Sequence, residues 1–341
     1  MNRLKSRVIA GCAFMVLVLS LWAAVSGVPV RAEAAADAIT SAPAAMTASE
    51  GIPGKKVGTV IMVSCKDIAA YPGLGVEVKY TAKKKLLEID RNNIHGKLYL
   101  GKKQMIVNEE IKYTLPAAMR LVKQENGKQI PMIPAARVGN ILGLKYRYDS
   151  ASKRVIYTPR KARITSTKNL QTKPFMLMST EEFVKFLGPL ARKEYKKSGF
   201  LASITIAQAI HESYSGCSLL AQKGNNLFGM KAYLSGNNWS GSKWKGKVVV
   251  KRTREQYGKR VVTITDRFRK YDNVMQNIQD HSAYFLHARN GSRLRYAGIA
   301  KTKNYKTQLR IIKKGGYCTF SDYTKNLERL IKKYHLTDYD K

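Results

Sequence analysis

Between residues 57 and 157 the apolar positions fall in short runs separated by Gly, Pro and Lys, the spacing of strands rather than helices. Residues 57–64, 74–80, 86–89 and 97–100 are predicted as strands, and residues 145–148 and 154–157 as a closing hairpin. One short helix interrupts them at 133–142, with Pro134 at its start and Gly143 as its stop. Past residue 160 the period changes. A stretch containing Pro174 and polar residues reads as a linker, and Ser179 with Glu182 then forms a capping box for a helix that runs toward Lys197 and stops at Gly199. Residues 201–213 carry a stripe of Ile204, Ala207 and Ile210 and predict a buried helix capped by Ser203. Residues 247–253 and 260–265 read as a basic strand pair, and residues 274–288 as a further helix. The pattern predicts an α+β chain: a small α+β domain at 55–160, a linker at 161–177, and a second domain at 178–341 that carries these helices and the strand pair.

Charge narrows the setting. The 341 residues hold 61 Lys and Arg against 23 Asp and Glu, a formal balance of +38 that suits a polyanionic environment. Arg3, Lys5 and Arg7 precede an uncharged stretch at residues 8–30, and Ala32-Glu33-Ala34 offers a small-x-small cleavage site. Residues 1–32 are therefore expected to be a signal peptide, or a membrane anchor through 8–30 if cleavage does not occur, and 33–54 a flexible spacer rich in Ala, Ser and Thr. Export argues against nucleic acid and for anionic wall polymers such as teichoic acids, with a secreted or wall-associated location.

Chemistry concentrates in the second domain. Glu212 closes an almost wholly apolar helix, and Gln208 lies four residues earlier on the same face. A carboxyl held against apolar walls keeps its proton to higher pH and can donate it; the same residue turned to water is an ordinary helix-end charge, and the pattern leaves both readings open. Residues 224–231 form a Gly- and Asn-rich turn holding Asn226, Phe228 and Gly229. Trp239 and Trp244 flank Gly241, and exposed indoles offer flat faces to sugar rings, although core packing is their commoner use. His211-Glu212 begins like a zinc-protease motif, but Ser215 stands where the second His belongs, so no metal or other cofactor is expected.

Taken in order, residues 204–213, 225–231, 268–272, 295–298, 315–323 and 334–340 resemble the bacterial endo-β-N-acetylglucosaminidase family. The resemblance implies a lysozyme-like, mainly helical fold with a β-lobe, acting on the glycan strands of peptidoglycan. It places Glu212 at the general-acid position and Glu255 at the second, β-lobe carboxylate. It puts Tyr296 and Tyr317 at the cleft and Asn226, Phe228 and Gly229 in its turn; Gln208, on the face of Glu212, and the indole of Trp239 are expected among the substrate contacts from their own spacing and chemistry. Cys217 and Cys318 depart from the family pattern, and both fall in blocks around that cleft, so a disulfide between them is expected. Residues 105–157 resemble the N-terminal stalk domain of copper amine oxidases, through residues 133–137, 142–149 and 153–157. That likeness implies a spacer or binding module, without oxidase chemistry. An N-acetylmuramidase and a catalytically inactive basic wall-binding protein remain the alternatives, while a cysteine peptidase lacks the surroundings a nucleophilic Cys needs.

Overall fold

The computed structural model describes residues 51–124, 127–164, 166–233, 239–257, 260–318 and 321–341, with backbone alone at 253–257 and 260–262. The expected signal or anchor at 1–32, and all but the end of the expected spacer, lie outside the described residues; residues 52–54 already belong to the first strand. Among the described residues no helix is long and apolar enough to cross a membrane.

The N-terminal part is an α+β unit. Strand β1 (Ile52–Val57) and β2 (Val60–Ser64) form a hairpin about Gly58, whose φ of +60° supplies the left-handed turn, so the single strand expected at 57–64 is the second half of a pair. The Ser64 hydroxyl then caps a helix missed in the sequence, α1 (Cys65–Ala70), by accepting from the Lys66 amide. There follow β3 (Glu77–Thr81), β4 (Leu86–Arg91), β5 (Ile94–Tyr99), β6 (Gln104–Val107), β7 (Ile111–Thr114), β8 (Arg120–Lys123) and β9 (Gln129–Pro134). Helix α2 (Ala135–Ile141) ends at left-handed Gly143, and β10 (Leu144–Asp149) and β11 (Arg154–Pro159) make the expected closing hairpin. The strands sort into a six-stranded antiparallel sheet, β10-β11-β1-β2-β9-β8, and a five-stranded meander, β3-β4-β5-β6-β7. Ile68, Leu87, Ile89, Met105, Ile133 and Val138 join the core between them.

The C-terminal part is mainly helical. Helix α3 (Thr180–Ser198) has the expected capping box, Ser179 and Glu182 bonding reciprocally, and stops at left-handed Gly199. Helix α4 (Ala202–Ser213) crosses the core with ten buried residues among its twelve. It starts after Leu201 with no side-chain cap; Ser203 is buried inside it, and its amide donates to Asp340. After α5 (Leu219–Gly224) the chain forms the β-lobe, one long hairpin of β12 (Val248–Tyr257) and β13 (Arg260–Arg269). Helix α6 (Val274–His287), the short pair β14 (Arg289–Asn290) and β15 (Arg293–Leu294), α7 (Tyr305–Lys314) and α8 (Tyr323–Lys333) complete the domain. The expected linker at 161–177 is only half a linker. Leu170 and Phe175 are buried in the helical core, and Thr172 bonds to Ala221 and Asn225, because these two large apolar groups outweigh the polar residues around them.

The two parts meet through turns at one end of the meander. The Asn93 side chain donates to the Met178 carbonyl (3.1 Å) and accepts from the Thr180 hydroxyl (2.8 Å). Asn108 donates to the Cys217 carbonyl (3.1 Å), and Glu110 pairs with Lys251 of β12. No disulfide joins Cys217 to Cys318. Cys217 is wholly buried and turns its thiol toward the Phe175 carbonyl (3.5 Å), so its side chain fills the seam below Phe175.

Candidate active site

Helix α4 sets the site. Its last turn carries Glu212, and Tyr214, Ser215 and Gly216 follow with φ of 50°, 52° and 84°, three left-handed residues that turn the chain sharply away. Non-glycine residues there cost about 1–2 kcal/mol each, so the turn needs support. It has it: the Gly216 amide donates to Ser213 Oγ (2.8 Å), the Ser218 amide to the Ser213 carbonyl (2.8 Å), and Ser215 Oγ meets the Thr180 hydroxyl (3.0 Å). The helix end is thereby fixed and Glu212 with it.

One oxygen of Glu212, Oε1, accepts from the Tyr323 hydroxyl at 2.8 Å. Tyr323 opens α8, and its hydroxyl oxygen in turn accepts from Gln208 Nε2 at 2.9 Å. Gln208 thus dictates the direction of the chain: with its amide donating, the phenol must point its proton at the carboxyl. Removal from water pushes Glu212 from its ordinary 4.5 up to about 8, against the opposing pull of the Tyr323 bond. The carboxyl is therefore protonated at neutral pH, with Oε2 left to carry the proton. Tyr317, fully buried beside it, has its ionisation pushed well above the usual range, first by burial and then by Glu212 itself. His211 packs edge-on against the Tyr323 ring, and burial holds its imidazole down to about 4, neutral across the working range.

The other predicted residues divide. Asn226 and Phe228 are turn and core residues, contrary to a role in touching substrate. Asn226 is 1% exposed and spends its amide on the Met230 and Arg269 carbonyls and the Met230 amide; Phe228 stacks on His281 at 3.7 Å between centroids. Gly229 has φ of +64° and open space where a side chain would lie. Tyr296 is likewise buried, sharing a hydrogen bond with the Tyr284 hydroxyl (3.2 Å). Its ring explains the Gly-Gly-Tyr motif: a Cβ on Gly315 would fall 2.3 Å from it.

Trp239 is half-buried and pinned. Its indole donates to Asp280 (3.2 Å), and the Arg269 guanidinium lies 3.8 Å from its ring centroid and 4.7 Å from that of Trp244. Asp280, wholly buried in α6, also accepts from Arg269 (2.8 Å) and Tyr271 (2.6 Å). Sequence reading missed this junction; its one signal was a lone acid on the apolar face of a helix. Glu255 lies in β12 opposite Val262, and its side chain is outside the described residues.

Two families match this chain. Residues 188–336 match the family described as mannosyl-glycoprotein endo-beta-N-acetylglucosaminidase, and residues 54–165 match the copper amine oxidase N-terminal domain. Over 158 residues the chain is 38% identical to "Exo-glucosaminidase LytG" of Bacillus subtilis, covering 46% of this chain and 52% of that protein. It is 32% identical over 187 residues to a "Probable N-acetylmuramidase" of Lactococcus lactis, covering 52% of this chain and 40% of that one. A crystal structure of a peptidoglycan hydrolase mutant from Sphingomonas sp. A1 shares 31% identity, covering 47% of this chain and 97% of that one, with a TM-score of 0.37. The chain spans about half the length, or less, of the curated relatives it matches.

Proposed function

Because the chain belongs, through residues 188–336, to the endo-β-N-acetylglucosaminidase family, we propose that it is a glycoside hydrolase of peptidoglycan, cutting β-1,4 bonds of the glycan strand after N-acetylglucosamine. The observation that carries this reading is the placement of Glu212 at the end of α4, anchored at one oxygen by Tyr323 and withdrawn from water so that its carboxyl is pushed up to about 8. Cleaving a glycosidic bond needs an acid that puts a proton on the leaving oxygen while the sugar ring becomes oxocarbenium-like. Glu212 holds that proton at neutral pH. Tyr323 and Gln208 keep the carboxyl aligned, and as the proton leaves, the phenol bond stabilises the carboxylate that remains.

The emerging positive charge is met by Glu255, the carboxylate carried by β12, or by the substrate's own 2-acetamido group. Half-buried Trp239 is the side chain we assign to the cleft wall; Tyr317 and Gln208, both wholly buried, back the carboxyl from behind instead of touching substrate. The protein is secreted or wall-associated in this reading, and residues 8–30 supply the export signal or a transient anchor.

The test uses purified full-length protein on peptidoglycan, with the new reducing ends identified. N-acetylglucosamine ends support the proposal. Muramic acid ends would move the chain to the N-acetylmuramidases, a reading favoured by the name of the Lactococcus relative. No release at all would leave a wall-binding protein. Glu212→Gln should lower turnover by about 10²–10⁴-fold, the usual worth of a general acid.

A further inference from the structure

A meander places its turns alternately at opposite ends, and in the five-stranded sheet the two ends differ in chemistry. The turns β4–β5 and β6–β7 hold Asn93, Asn108, Glu109 and Glu110, and they are the ones docked on the catalytic domain. The turns β3–β4 and β5–β6 lie at the far end, about 17 Å away along a six-residue strand. They carry Lys83, Lys84, Lys85, Lys102 and Lys103, all exposed and with no acid among them. The Leu100 amide donates to the Lys85 carbonyl (2.9 Å), so the two turns lie side by side.

Among the described residues none of these five ammonium groups is held in an ion pair, whereas Lys97, inside β5, is paired with Glu109 of the docked end. Beside the β5–β6 turn lies an open pocket of about 470 Å³ lined by Tyr99, Lys102, Lys103, Gln104 and Ile106. Tyr99, which faces Leu86 across the sheet, is 40% exposed, a large aromatic left uncovered. Cations on the rim with a ring and an aliphatic floor suit a chain of phosphodiesters joined by short polyols: the lysines meet the phosphates and the apolar floor meets the C–H groups between them.

We propose that this tip is a binding site for a polyol-phosphate polymer of the cell wall, so that the N-terminal domain holds the wall at one end and the hydrolase at the other. The inference rests on the extracellular setting of the proposed function but not on catalysis. Its test is a binding measurement with purified poly(glycerol phosphate) and the full chain.

Replacing Lys83, Lys85, Lys102 and Lys103 by Gln should weaken binding at least tenfold and flatten its dependence on salt. Tyr99→Ala should weaken it about threefold, a loss that net charge alone would not produce. A control removes the same charge from the helical domain, with Lys185, Lys193, Lys196 and Lys306 changed to Gln; it should stay within threefold of the parent. Equal losses in both variants would show bulk attraction and overturn the site, as would no loss in the tip variant. A tip variant that loses binding to phosphatidylglycerol vesicles but keeps the polymer would reassign the tip to the membrane, overturning the proposal. Cleavage of soluble glycan fragments, measured alongside, should be unchanged in the tip variant, so failure of the hydrolase reading shows separately.

Discussion

Glu212 and Tyr323 make opposing demands on one proton. Burial favours the acid form and the phenol bond favours the carboxylate, and burial wins, leaving the carboxyl at about 8. Tyr323→Phe should therefore raise that value further. In a pH–rate profile the alkaline limb should move above its parent position near pH 8 while the maximal rate falls, since the orienting bond is lost. A purely structural Tyr323 would lower the rate without moving the limb. Folding carries the same signature. The native carboxyl keeps its proton up to about pH 8, the unfolded one only to about 4.5. Folding thus takes up a proton in that window, and stability falls as pH rises through it. Glu212→Gln should remove the penalty, so thermal melts of the variant and parent should differ most above pH 8, in the variant's favour, by on the order of a few kcal/mol.

Elements with a local signature were the legible ones. The capping box and Gly199 bound α3, and Gly143 ends α2, because these features act through neighbouring backbone groups. Helix α4 was found from its apolar stripe, but its start was not: Ser203 looks like a cap, yet the chain buries it because Asp340, 137 residues away, satisfies its amide. The strands β6, β7 and β8 were missed since four residues each give little pattern, and β9 because Pro131 and Pro134 argue against a strand. In the site, Glu212 and Gln208 were visible from their spacing, whereas the burial of Tyr296 and Asn226 depends on distant elements. The Gly315 contact offers a check on that packing. Gly315→Ala would push a methyl into the Tyr296 ring and should destabilise the domain by about 1–3 kcal/mol in urea unfolding, with the rate falling in parallel.

At the scale of the molecule, the N-terminal domain braces the turn that follows the acid. Asn108 is 2% exposed and bonds the Cys217 carbonyl, while Asn93 holds Thr180, which meets Ser215. Asn108→Ala leaves the Cys217 and Asn93 carbonyls and the His95 amide without this partner and should cost about 1–3 kcal/mol. Calorimetry should show one unfolding transition for the parent and, for the variant, a split toward two, one for each core. Catalysis should fall through the turnover number more than through KM, because what loosens is the support of Glu212 and not a substrate contact. Neither effect was readable in the sequence, where residues 93 and 108 belong to one domain and residue 217 to the other.

The buried thiols give the molecule its own gauges of this coupling. Cys65 sits 2% exposed in the first core and Cys217 fully covered at the junction, and burial pushes the Cys65 thiol up to about 12 and Cys217 higher still. Both are inert to alkylating dyes while covered. A dye that reacts at Cys217 sooner than at Cys65 times the parting of hydrolase from stalk, and equal rates mean that the two come apart only when everything does.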